Sequence, residues 1–327
     1  MEVFTRKKYR FYLKLTSLHK FSALIFAITY GGFIFFMLQL QYRLGTGDIG
    51  SYLHFFNQFQ GTDELPELTI FSDGAFRLAI FFLRDLFSIQ ALTVLGIFAF
   101  ITSTIISYIF LTNIRSERHL VYLLPLLAMI FTTPIVFVLF SSNVRSGIAF
   151  TVLMIGAVYL RRVPQLLFFG LSCIIHFSMI PLVGLYILFH LINNINFNGV
   201  KLNHTFTYIV LFFASLFLAI TGGVVRGTEV SSSFAYNVFI LYVAFLMIAT
   251  GRKLIKNVYG FMSAGMIFIY FTGVLIDISY SRYFGNALLL YFLFIIQEGE
   301  DRKISIFTLG FVPFFLLTSS YMFTNLT

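Results

Sequence analysis

The sequence predicts an all-α polytopic integral membrane protein of about 10–11 transmembrane segments, and three observations carry that prediction. Hydrophobic residues make up 59% of the 327 positions, mean hydropathy is +0.91, and only 11% of residues are charged. Apolar runs of bilayer length recur along the whole chain. The Lys and Arg residues between those runs divide into two unequal sets, as expected when cytoplasmic loops hold the excess of positive charge. This composition excludes an ordinary soluble domain, so residues 1–327 read as a single transmembrane domain. A formal net charge of +9 would suggest nucleic acid as the partner of a soluble protein. Here the distribution of charge matters more than its sum, and the expected surroundings are membrane lipid, with no nucleic acid.

Taken in order, residues 1–20 (MEVFTRKKYRFYLKLTSLHK) form a basic N-terminus. The apolar run behind them has no small-residue cleavage signature, so a retained cytoplasmic end is expected rather than a signal peptide. Apolar segments follow at 21–40, 89–111, 120–140, 146–160, 164–192, 205–221, 234–250, 257–276, 283–296 and 304–322. The fifth is long enough for one tilted helix or for two short arms that turn near His176 to Pro181. Proline and the small residues around it favour a break.

Charge decides between the two readings. With 164–192 as a hairpin, the chain makes eleven passes, with its N-terminus inside and its C-terminus outside. Of the 22 Lys and Arg, Arg6, Lys7, Lys8, Arg10, Lys14, Lys20, Arg115, Arg118, Arg161, Arg162, Lys201, Arg252, Lys253, Lys256, Arg302 and Lys303 then lie inside. Only Arg43, Arg77, Arg84, Arg145, Arg226 and Arg282 remain outside. A single pass would reverse every later loop and worsen the split.

The longest loop, 39–90, falls on the outer face. In Asp48 to Gln60, Tyr52, Phe55, Phe56 and Phe59 recur at helical spacing, which predicts an amphipathic helix against the membrane surface or the bundle. Ile70 to Leu83 is apolar but interrupted by Asp73, Gly74 and Arg77. It is too short and polar to span, and reads as an interfacial or re-entrant helix.

One stretch, Ser142 to Ser178, concentrates the polar residues. Arg145 and Arg161 are separated by roughly 24 Å of helix, and Arg162 and His176 by roughly another 21 Å. Two helices of those lengths would return His176 to the membrane face that holds Arg145 and leave Arg161 and Arg162 on the other. His176, between Ile175 and Phe177, would then be an ionisable group near outer membrane depth, able to accept a proton near neutral pH or simply packed and satisfied.

The six outer basic residues are all arginine. A guanidinium stays charged when partly desolvated and offers a flat fork to phosphate or carboxylate oxygens, although interfacial anchoring is the plainer role. Arg43, Arg145 and Arg282 have the strongest claims, each beside polar or small residues. Asp48 and Asp277 are the outer acids nearest them, whereas Asp63, Glu64, Glu67 and Asp73 read as a solvated cluster. The single cysteine, Cys173, lies in an apolar run and reads as a small buried hydrophobe. No HExxH, Walker or GxSxG motif is present, so neither a metal nor any other cofactor is expected.

The ordered set Arg43-Leu44-Gly45-Thr46-Gly47-Asp48 with Tyr52, Asn143-Val144-Arg145-Ser146-Gly147-Ile148-Ala149, Arg161-Arg162, His176-Phe177-Ser178 and Ser281-Arg282-Tyr283 resembles the EpsG family of polysaccharide polymerases, related to Wzy O-antigen and capsule polymerases. The matches cover roughly residues 39–290. Gly47 separates Thr46 from Asp48, which are adjacent in the family pattern, and Met179 replaces an alanine. The resemblance implies a GT-C-like glycosyltransferase of the bacterial cytoplasmic membrane with its active site facing outward. Its donor and acceptor would be polyprenyl-diphosphate-linked oligosaccharides, with a chain-length regulator protein as a candidate partner. The diphosphate already activates the donor, so the chemistry needs charge stabilisation and a base. On this reading Arg145 and Arg282 hold the diphosphate, Arg43 supports it or the acceptor, and His176 or Asp48 is the base. Tyr52, Asn143, Ser178, Asp277 and Tyr280 line the substrate site. A ligase-type transferase that moves finished glycan would use the same donor chemistry. A lipid-linked glycan flippase would instead call for midplane charges and repeated broken helices, neither of which the sequence has.

Overall fold

The computed structural model describes residues 2–43, 49–50, 52–53, 74–87, 89–113, 134–141, 143–194, 204–225, 252–275 and 281–298. Among these residues the secondary structure is entirely helical: α1 (Glu2–Arg43), α2 (Gly74–Phe87), α3 (Ala91–Thr112), α4 (Pro134–Ser141), α5 (Val144–Tyr159), α6 (Val163–Ile175), α7 (Ile180–Asn194), α8 (His204–Val225), α9 (Arg252–Lys256), α10 (Val258–Leu275) and α11 (Ser281–Glu298). A single 3-10 turn, Phe177–Met179, joins α6 to α7. Two stretches, His19–Arg43 and Ala91–Thr112, are helices long and apolar enough to cross a membrane. The apolar stretches in α5, α6, α7, α8, α10 and α11 are shorter. The segments expected at 234–250 and 304–322 lie outside the described residues.

α1 and α3 form the most extensive helix pair and run antiparallel. Near one end of the pair His19 Nε2 donates to the Leu111 carbonyl across 3.0 Å. Further along, Gly31 brings the backbones together: a Cβ there would overlap Thr104 Oγ1 and come within 2.9 Å of the Phe100 carbonyl oxygen. The hydroxyls of Thr102, Ser103, Ser107 and Thr112 bond back to carbonyls four residues earlier, which satisfies them in apolar surroundings, whereas the buried Thr104 hydroxyl, at the Gly31 contact, has no hydrogen-bond partner among the described residues.

The stretch 164–192 folds back on itself. Gln165 Nε2 donates to Tyr186 Oη over 2.7 Å, and the Phe169 and Tyr186 rings meet edge to face at 4.7 Å. In one straight helix, residues 165 and 186 would stand roughly 30 Å apart. The turn is made at His176, whose extended backbone (φ −152°, ψ 117°) ends α6 and starts the 3-10 turn. At the other end of α6, Arg162 has φ 57° and ψ −130°, which makes the α5–α6 connection short enough for the two helices to pack antiparallel.

α10 and α11 occupy the centre. In α11, Tyr283 and every residue from Gly285 to Ile296 are buried, as expected of a helix that is apolar all round. Ser263 Oγ ties the pair by donating to the Ala287 carbonyl at 2.6 Å. α6 is the opposite case. Val163, Leu166, Leu167, Leu171 and Ile174 are exposed, and only Phe169 and Ser172 are buried. Phe21, Phe36, Phe213 and Phe217 extend this outward-facing apolar surface onto α1 and α8.

Candidate functional site at the arginine end of the bundle

Side-chain contacts sort the helix ends into two sets. Thr112 lies 3.4 Å from Tyr159 Oη, Gln297 Nε2 donates to Asn113 Oδ1 at 3.4 Å, and Asn257 Nδ2 donates to Gln297 Oε1 at 3.3 Å. These contacts, with His19 on Leu111, gather the His19 level of α1, the ends of α3, α5 and α11 and the start of α10. Lys20, Arg161, Arg162, Lys253 and Lys256 belong to this basic end and are exposed. The opposite end consequently holds Arg43, the starts of α3, α5 and α11, and the His176 turn.

At that opposite end, α5 begins at Asn143, which stands at the N-cap without using its side chain as a cap. The start of α5 is fixed against α4 by Gly147, where a Cβ would come within 2.9 Å of the Leu139 carbonyl oxygen. Arg145, in the first turn, sets its guanidinium carbon 5.3 Å from the centre of the Tyr52 ring, a cation–π distance. Tyr52 in turn meets Phe76 of α2 edge-on at 5.8 Å. The long loop thus sends an aromatic pair back over the start of α5. Phe76 was not anticipated as part of this arrangement; its place three residues after Asp73, in the interfacial segment, is the signal that could have pointed to it.

His176 is 1% exposed. Its backbone N–H donates to the Ser172 carbonyl at 3.0 Å, and its carbonyl accepts the Met179 N–H at 3.0 Å, so the backbone that carries the imidazole is fixed by the turn. The 3-10 turn packs against α5, and Ser178 within it is half-buried. Levels along the bundle follow from the contacts at the basic end. Arg145 stands roughly 21 Å above Tyr159, and His176, counted from Phe168 and Phe169 beside Gly156, stands roughly 15 Å above it. The two residues expected to meet at one face therefore lie at the same end, with His176 about one helical turn deeper.

The other expected residues divide. Arg43 is exposed in the last turn of α1. Arg282 occupies the first turn of α11 at the site end, placed there by the antiparallel pairing of α10 and α11. Asp48, Asp277 and Tyr280 lie outside the described residues. Among the described residues no cluster of His, Cys, Asp or Glu could hold a metal ion.

The arrangement offers a partly desolvated cation at the rim, an imidazole below it, and an aromatic surface over the cation. Such a site can bind an anionic group at its rim and offers a proton acceptor about one helical turn deeper. Comparison with known proteins found no matching family model, no matching curated protein and no matching solved structure.

Proposed function

We propose that this chain is a polytopic membrane glycosyltransferase that polymerises polyprenyl-diphosphate-linked oligosaccharide repeat units on the outer face of the cytoplasmic membrane. The observation that carries the reading is the pairing of Arg145, held over Tyr52, with a buried His176 at the same end of an apolar helical bundle. The exposed apolar faces of α1, α6 and α8 suit a lipid surround, and the Lys/Arg-rich opposite end suits the cytoplasm.

In the proposed reaction, a hydroxyl of the incoming lipid-linked unit loses its proton to His176 or to Asp48. Its oxygen attacks the anomeric carbon at the lipid-bound end of the growing chain. The bond from that carbon to the diphosphate oxygen breaks, and polyprenyl diphosphate leaves with the electron pair. Arg145, supported by Arg282, stabilises the charge that gathers on the leaving oxygen. Partial burial strengthens this effect, because water competes poorly for a guanidinium held against an aromatic ring. Arg43, at the exposed end of α1, serves the diphosphate or the acceptor from the rim. Ser178, Asp277 and Tyr280 complete the substrate-binding set.

The test is incubation of purified full-length protein with a lipid-linked repeat unit and no energy source, followed by sizing of the product. A ladder of lengthened lipid-linked chains is expected. Repeat units crossing a vesicle membrane without lengthening would point to a flippase, and transfer of finished glycan to a separate lipid acceptor would point to a ligase.

A further inference from the structure

Two buried carboxamide oxygens at the site end accept no hydrogen bond among the described residues. One is Asn143 Oδ1, at the start of α5. The other is Asn286 Oδ1, in α11, on a residue that is 1% exposed. Asn286 is set among Ala287, Leu289 and Leu290, where an acceptor without a donor lowers stability. It lies one helical turn beyond Arg282 in α11. Counted from Gln297 it stands roughly 16 Å above the basic end, level with His176 and below Arg145. The eight-residue α4 packs against both α5 and α11 and so bridges the elements that hold the two amides.

The chemistry of these atoms differs from that of the arginines. An amide oxygen only accepts, and a diphosphate at neutral pH offers essentially only acceptors, so the two would not pair. Carbohydrate hydroxyls offer donors. Resting on the glycosyltransferase reading, we propose that Asn286 provides a hydroxyl-accepting point for the sugar portion of the lipid-linked substrate, while the diphosphate is held by the arginine layer above. Asn286 thereby contributes to recognition of the glycan and leaves recognition of the lipid diphosphate to Arg145.

The test compares two probes on full-length protein in nanodiscs: undecaprenyl diphosphate, which has no sugar, and the lipid-linked repeat unit extracted from cells in which this chain is inactivated. Asn286→Leu should weaken binding of the glycolipid about 10-fold or more and leave undecaprenyl diphosphate within about 2-fold. Its melting temperature without ligand should not fall, because leucine removes an acceptor that had no donor. Unchanged glycolipid binding, or equal loss for both probes, overturns the proposal. If Asn286→Leu lowers the melting temperature, Asn286→Asp decides: retained glycolipid binding supports the subsite and lost binding overturns it. Unsubstituted protein that binds undecaprenyl diphosphate but gains nothing from the glycan overturns the subsite alone. Binding of neither lipid overturns the glycosyltransferase reading as well.

Discussion

Asparagine is treated in opposite ways at the two ends of the bundle. At the basic end, Asn113 accepts from Gln297 and donates to the Ile109 carbonyl at 2.8 Å. Asn257 donates to Gln297 and accepts the Tyr259 backbone N–H at 3.0 Å at the start of α10. The same residue type at the site end, in Asn143 and Asn286, leaves its buried oxygens without donors among the described residues. A carboxamide in an apolar interior stabilises only when its partners are supplied, and costs stability when they are not. The basic end therefore acts as a clamp that holds α3, α10 and α11 in register. The opposite end keeps polar capacity that a ligand can use.

Substitutions at the two ends should separate along that line. The largest effect is expected from His176→Ala, with polymer formation per folded molecule falling about 10²–10⁴-fold at matched expression. A full rate in this variant would move the base to Asp48. Arg145→Ala should follow, with a loss of about 10²–10³-fold, and Arg145→Lys should restore only part of it because an ammonium lacks the planar fork. Kinetics on purified protein would check both, and full-length polymer from Arg145→Ala would remove the arginine from the mechanism.

Away from the site the expected readout changes from rate to stability. Gly31→Leu should cost about 1–3 kcal/mol by forcing α1 away from Thr104 and Phe100, seen as a lower melting temperature in detergent. Asn257→Ala should cost about 1 kcal/mol through loss of a helix cap and of the bond to Gln297, with turnover per folded molecule unchanged. A loss of turnover in that variant would break the separation between the ends. The smallest effect is expected at Arg162, whose φ of 57° strains a non-glycine backbone. Arg162→Gly should shift stability by no more than about 1 kcal/mol, because relief of that strain is offset by the greater freedom of glycine in the unfolded chain.

Much of the architecture was legible from pattern alone. The apolar runs at 21–40, 89–111, 146–160, 205–221, 257–276 and 283–296 correspond to helices, because a long apolar run without breakers has few other ways to satisfy its backbone. The break near His176 and the short helix within the long 39–90 loop were also readable, the first from Pro181 and charge alternation, the second from its interrupted apolar run. The site was legible in part. Arg145 and His176 could be assigned to one end by helix rise, but the contact of Arg145 with Tyr52 joins residues 93 positions apart through a loop that has no fixed period. Asn286 gave no signal, since one amide in the run SRYFGNALLLYFLF looks the same whether it faces lipid, protein or ligand.

Sequence by itself determined that this chain is helical and apolar, where its runs begin and end, and that its lysines gather with some arginines while other arginines stand alone. Those properties follow from local hydrogen bonding and from the charge of short connections. Tertiary structure alone decided which apolar helices are interior and which face outward: α6 and α11 are similarly rich in Leu, Phe and Ile, yet one is largely exposed and the other almost wholly buried. The physical reason is that packing depends on which partners a helix meets. Glycine approaches such as Gly31 and the amide ties at the basic end select those partners, and neither effect is local in the chain.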